Sequence, residues 1–167
     1  MKKLILTVLM LVCLVFQAEA QKDFKNAIGL RVGDNSGIGA EISYQRDILT
    51  NNRLEFDLGW RNSRNIDAVK LAALFQWVWN IDGGFNWYAG VGGGFGSYDY
   101  NYNRYYYGPA YRDDHGNFAF VAGDIGIEYN FDIPLQLSFD VRPEIGGTPY
   151  YENSIAADIG LGIRYRF

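Results

Sequence analysis

Strict alternation over the last fourteen residues, Ser154 to Phe167, leaves this chain few folds to choose from. Ile155, Ala157, Ile159, Leu161, Ile163, Tyr165 and Phe167 fall on one side of an extended strand. Ala156, Asp158, Gly160, Gly162, Arg164 and Arg166 fall on the other. A period of two means one apolar and one polar face. The apolar side includes the terminal residue, and the polar side carries two arginines and an aspartate. Each face therefore needs its own solvent, and the apolar one meets either a protein core or lipid.

The same period recurs upstream. The first strand is expected near Phe24 to Val32, the second from Gly37 to Arg46, and the third from Arg53 to Arg61. A fourth follows from Asp67 to Trp79, where Leu74 and Val78 interrupt the polar side, and a fifth from Phe85 to Gly96. Phe118 to Asn130 and Leu135 to about Ile145 make the sixth and seventh, and the closing strand is the eighth. Turn residues separate them at Gly33 to Ser36, Asp47 to Asn52, Asn62 to Ile66, Asp82 to Gly84 and Phe131 to Pro134. The one long connection is expected over 97–117, where alternating Tyr98, Tyr100 and Tyr102 would continue strands five and six as a hairpin beyond the membrane, and a loop over 146–153 leads into the closing strand. Consecutive hairpins without helices give an all-β antiparallel up-and-down meander, and eight such strands close into a barrel that leaves no exposed edge.

Which face points inward follows from charge and aromatic placement. The polar faces carry Arg31, Arg61, Lys70, Arg142, Arg164 and Arg166 with Glu41, Glu55, Asp57, Asp124, Glu128, Asp140, Glu144 and Asp158. A cationic group costs about 2–4 kcal/mol at the bilayer midplane, so these groups belong inside. Tyr44, Trp77, Trp79, Trp87, Tyr129, Tyr165 and Phe167 lie on the apolar faces beside short turns or the C-terminus, and Trp60 and Phe95 mark the opposite end. Rings at two levels are what the two headgroup regions select, whereas a core would collect them mid-strand. The expected fold is an eight-stranded transmembrane β-barrel facing membrane lipid, with a polar lumen closed by paired charges. Pro143 cannot donate to a ladder and is expected above the membrane or at a bulge near the rim.

The start of the chain reads as an export signal over 1–20, ahead of a single barrel domain over 21–167. Lys2 and Lys3 precede an apolar run from Leu4 to Phe16, and Ala18-Glu19-Ala20 has the small-residue cleavage pattern. The run falls short of the roughly 20 residues a spanning helix needs. Cys13 lies inside it, so the exported chain would carry no cysteine and no disulfide. The sequence has 15 Lys and Arg against 19 Asp and Glu; without Lys2, Lys3 and Glu19 this becomes 13 against 18, a net −5. That balance excludes nucleic acid as a partner.

Together these features resemble the small eight-stranded bacterial outer-membrane barrels of the OmpA-transmembrane and OmpX type. The resemblance covers the architecture of residues 21–167 and includes no catalytic motif. It implies that Ile163, Tyr165 and Phe167 form a signal for the outer-membrane assembly machinery. It also implies that the short turns and both termini face the periplasm.

Two stretches invite a functional reading. The connection over 97–117 holds Tyr98, Tyr100, Tyr102, Tyr105, Tyr106, Tyr107 and Tyr111, a composition suited to binding an extracellular partner, or simply to packing of its own rings. His115 is the only histidine, and with Ser97 or Ser154 it would supply the groups of a lipid-modifying enzyme, although no motif sets that spacing. Asp113-Asp114 is not a metal site by itself, and no phosphate loop or zinc spacing appears, so no cofactor is expected. A structural or surface-interaction role is the leading expectation. A lipid-modifying enzyme and a soluble periplasmic carrier are the alternatives.

Overall fold

The computed structural model describes residues 24–34, 38–62, 66–100, 114–148 and 151–167. The export segment 1–20 lies outside them. Eight strands follow in order: β1 (Asn26–Asp34), β2 (Ile38–Leu49), β3 (Asn52–Asn62), β4 (Ile66–Asp82), β5 (Phe85–Tyr100), β6 (Asp114–Asn130), β7 (Leu135–Thr148) and β8 (Tyr151–Arg166). Each pairs antiparallel with its sequence neighbours, and β1 pairs with β8 from Ala27 opposite Arg166 to Asp34 opposite Ile159, which closes the barrel. The last residue is held too, because Asn26 and Phe167 exchange backbone hydrogen bonds of 3.0 and 2.8 Å.

Strands β5 and β6 continue as a hairpin into the 97–117 connection, as the alternation of Tyr98 and Tyr100 leads one to expect: Ser97 lies opposite Asn117, Asp99 opposite His115 and Tyr100 opposite Asp114. Alternation of apolar residues ends where lipid ends, whereas backbone pairing continues into water. The expected loop over 146–153 is likewise mostly strand, with Gly146 opposite Ser154 and Thr148 opposite Tyr151. A register shift lies between Gly146 and Thr148, and Gly146 has φ 147°, a conformation that side chains rarely adopt. At the other end the β4–β5 turn needs Gly83 in the left-handed region, with φ 53°, and Asn80 Nδ2 donates to its carbonyl at 3.0 Å.

Pro143 is neither above the apolar wall nor at a bulge. It pairs in register with Ala157 of β8, between the outward residues Val141 and the exposed Ile145. On its other side the β6–β7 ladder skips from Ala122–Glu144 to Ile125–Val141. Gly123 faces the ring there, and a Cβ on it would sit 3.2 Å from Pro143 Cγ. A missing side chain on the neighbouring strand thus makes room for a residue that cannot join the ladder.

Candidate functional site

The polar faces turn inward. Glu41, Glu55, Asp57, Asp124, Glu128, Asp140, Arg142, Asp158 and Arg164 are all buried in the lumen, and Arg31 and Arg142 are 0% exposed. Arg31 reaches three strands: Nε donates to Asp140 Oδ1 at 3.0 Å, and Nη1 donates to Glu41 at 3.1 Å and Asp158 at 2.9 Å. Arg142 Nη2 donates to Glu55 Oε1 at 3.1 Å, while Nη1 lies 2.9 Å from Asp57 Oδ2. Arg164 donates to Glu55 at 3.1 Å, Ser43 at 2.9 Å and Ser138 at 2.8 Å. Lys70, only partly buried, caps this stack through Glu144 at 2.8 Å and Glu41 at 3.1 Å. Arg61 is placed in β3 opposite Ala68, and its side chain lies outside those described.

Alternation also left some lumen partners unnamed. Arg53 donates to Glu128 at 2.6 Å and to Gln76 at 2.5 Å, and its guanidinium lies 4.7 Å from the centre of the Tyr88 ring. Gln76 Nε2 donates to Asp124 and, at 3.0 Å, to Glu55, which Gln45 also reaches at 2.6 Å. Gln45 and Gln76 carry no charge to flag them, and Arg53 stands at the very start of its expected strand, although inward parity marks all three once the faces are assigned. The polar side of β4 is mixed as expected: Ala72 and Leu74 pack in the lumen with Phe120 and Ala122. On the turn side of the network a polar vestibule of about 220 Å³ is lined in part by Asn80, Asn86, Glu128, Gln136 and Arg166.

The ion pairs tie strands across the barrel and leave the lumen filled. Glycine parity helps on the crowded side, since a Cβ on Gly160 would fall 2.4 Å from Arg31 Cζ. The arrangement can hold the wall rigid and exclude an open passage. Among the described residues, no group of three His, Cys, Asp or Glu side chains comes together as a metal site.

The outer wall is the reverse of the lumen. Large apolar side chains face outward on every strand, among them Leu30, Ile42, Leu58, Phe95 at 63% and Leu161 at 64% exposure. A soluble carrier would need this arrangement inverted, with the charges outside. Trp60, Trp77, Trp79 and Trp87 are exposed, and Trp79 stacks on Trp87 with centroids 4.3 Å apart. Tyr129 tilts against Phe85 at 4.5 Å, and Tyr165 stacks on Phe167 at 6.2 Å. Tyr44 donates from its hydroxyl to Asn26 Oδ1 at 2.9 Å. Ile163 sits outward on β8, in register with Leu30 and Leu137.

At the loop end, the half-buried Tyr98 ring lies 6.3 Å from that of Phe118. Tyr100 is placed in β5, with its side chain outside those described. Tyr102, Tyr105, Tyr106, Tyr107 and Tyr111 lie outside the described residues altogether. His115 is exposed on β6, in register with Asp99, while Ser97 pairs with Asn117 one step toward the lipid. Alternate parity puts Ser97, Asp99 and His115 on one outward face. Ser154 is placed in β8 opposite Gly146, two strands away from His115, and its side chain lies outside those described.

No protein-family model and no curated protein matches this sequence. Solved structures do. The chain is similar to the N-terminal β-barrel domain of Pseudomonas aeruginosa OprF, with TM-score 0.70 and 12% identity over 85% of this chain and 96% of that one. It is similar to Neisserial surface protein A, with TM-score 0.62 and 12% identity over 85% and 94% of the two chains. It is also similar to Ail, the attachment invasion locus protein of Yersinia pestis, with TM-score 0.54 and 14% identity over 85% and 96%. A sealed polar lumen inside an apolar wall, closed in the same strand order, gives this chain the fold of the small eight-stranded outer-membrane β-barrels.

Proposed function

We propose that this protein resides in a bacterial outer membrane and acts through its loop-end surface as a structural or adhesive element, without conducting ions. The observation that carries this reading is the lumen, crossed by the pairs Arg31–Asp140, Arg142–Asp57 and Arg164–Glu55. With its interior occupied by its own side chains, the barrel offers the lipid-facing wall and its two ends for contact. The described part of the β5–β6 hairpin runs past the apolar wall, and the sequence between its strands is rich in tyrosine, a residue that provides contact area at low entropic cost. Among the similar structures, the name of Ail refers to attachment and invasion. Export through residues 1–20 and recognition of Ile163, Tyr165 and Phe167 by the assembly machinery belong to the same reading.

Joining Tyr100 to Asp114 by a two-residue turn is expected to leave folding intact and to abolish binding of whole cells to their surface partners. The wild-type barrel in planar bilayers is expected to show no steady conductance. Sustained single-channel steps, or unchanged cell binding after the deletion, would overturn the proposal.

One observation favours a second reading, a lipid-modifying enzyme. The register sets His115 beside Asp99 and one step from Ser97, on a face that meets the outer edge of the lipid. A serine nucleophile, a histidine base and an orienting carboxylate are the parts such chemistry uses. Ser97→Ala and His115→Ala are then each expected to erase the same modified lipid from mass spectra of membrane extracts. Identical spectra from wild type, both variants and a strain lacking the protein would remove this reading.

A further inference from the structure

The apolar wall is not equally tall around the barrel. On β4 outward apolar side chains run unbroken from Val69 to Ile81, and on β6 from Ala119 through Val121, Ile125, Ile127 and Tyr129 to Phe131. On β5 they run from Phe85 to Phe95, on β7 from Leu135 to Ile145, and on β8 from Ala157 to Phe167. With a rise of about 3.4 Å per residue and a tilt of about 40°, these runs span roughly 26–31 Å along the barrel axis. An outer-membrane barrel typically presents an apolar band of about 25 Å, so this side is matched or slightly long.

The other side is short. The run on β1 is Ile28, Leu30 and Val32, on β2 strand parity gives Ile38, Ala40, Ile42 and Tyr44, and on β3 it is Leu54, Phe56, Leu58 and Trp60. By the same conversion these span about 10, 16 and 16 Å. Because the count is taken along each strand, the stagger between strands does not alter it. Polar contacts define the lower limit: on the outer wall Asn26 Oδ1 accepts from Tyr44 Oη at 2.9 Å and from Arg46 Nη1 at 3.5 Å. Ile48 and Leu49 follow only beyond Arg46, at the turn. Aromatic anchors bracket the same short span, since Tyr44 lies opposite Phe56 and Trp60 opposite Ala40, four residues higher. Tyrosine and tryptophan settle at headgroup level.

We infer that the β1–β3 wall is an interaction surface for a locally thinned bilayer, with lipid drawn in so that its two interfaces meet near Tyr44 and Trp60. Lipid is the occupant because the exposed residues here, Ile28, Leu30, Val32, Ile42, Phe56 and Leu58, continue the lipid-facing wall of β4–β8 without interruption. A short apolar stretch next to a thicker bilayer is accommodated by thinning, and tilting the barrel cannot lengthen it. The wall includes β1, which closes the barrel against β8 from Asp34–Ile159 to Ala27–Arg166. Among the described residues that closing ladder ends at Asp34–Ile159, while β8 continues upward paired with β7. The inference rests on the barrel being embedded in a membrane and is independent of any surface partner.

Single cysteines carrying an environment-sensitive fluorophore test it at the turn-side limits of the two walls, at Tyr44→Cys on the short wall and Trp79→Cys on the tall one. The labelled barrels are reconstituted in phosphatidylcholine vesicles with acyl chains of 12, 14, 16 or 18 carbons. The expected result is headgroup-level quenching and access to aqueous iodide for both labels at every chain length. A Tyr44-site label that is shielded from iodide and quenched by mid-chain nitroxide lipids at 16 or 18 carbons would overturn the inference. A label shielded from both iodide and lipid nitroxides, with cross-linked dimers, would overturn it in favour of a second copy. As a separate measure, Arg46→Leu joins Tyr44 to Ile48 in one taller apolar run. It is expected to move the most stabilising acyl chain at least one step longer in the series, and an unchanged optimum would count against a short wall.

Discussion

Arg142→Ala is expected to lower folding stability by about 3–5 kcal/mol, the cost of leaving buried charges without their partner. The reason is local crowding of carboxylates: Arg142 is fully buried and lies within 3.5 Å of Glu41, 3.1 Å of Glu55 and 2.9 Å of Asp57. Without it, Asp57 keeps no ion-pair partner among the described residues, while Glu41 retains Arg31 and Lys70, and Glu55 retains Arg164. Urea unfolding from lipid vesicles measures the loss as a lower midpoint with an unchanged slope. Combining Arg142→Met with Asp57→Asn is expected to recover most of the stability, since removing both members of a buried pair avoids the stranded charge. A loss below about 1 kcal/mol for Arg142→Ala would mean that water already screens the pair as it does at a surface.

Leu161→Arg is expected to have the next largest effect, about 2–4 kcal/mol in bilayers if the residue sits near the midplane. Leu161 is 64% exposed on β8, in register with Val32 of β1 and Phe139 of β7, and has apolar outward neighbours on both sides along its strand. The cost comes from lipid and not from packing, so a detergent micelle that lets water approach should reduce it. On a water-facing wall the same change would stay within about 0.5 kcal/mol. A value that small in vesicles would refute the lipid-facing assignment. The two substitutions probe opposite faces of the wall, and each tests one of the two solvents demanded by the alternation in β8.

The positions of all eight strands were legible in the sequence because alternation is local and spans each lipid crossing. Strand ends were less legible. Alternating Tyr98 and Tyr100 marked the extension of β5 and β6 outside the apolar zone, whereas the β7–β8 ladder runs on through Gly146–Ser154 to Thr148–Tyr151 with no such pattern to mark it. Pro143 shows a related limit: its lack of a donor was visible, but the vacant side chain of Gly123 that accommodates it belongs to another strand. In the lumen most of the charged members were readable from parity. Arg53, Gln45 and Gln76 were not singled out, because their importance lies in whom they reach and not in a run of similar residues.

By itself the sequence determined the solvent of each face, because strand parity is set by the backbone and every apolar or charged side chain inherits its direction from its neighbours. It also contained the counts that make one side of the wall short. Only the tertiary structure decided which charges meet, since Arg31 finds Asp140 at a separation of 109 residues and Asp158 at 127. That pairing depends on the register around the closed barrel, where a slip of one residue would turn a whole strand's charges toward lipid. The same closure sets β1, β2 and β3 side by side, so that three short apolar runs become one low wall.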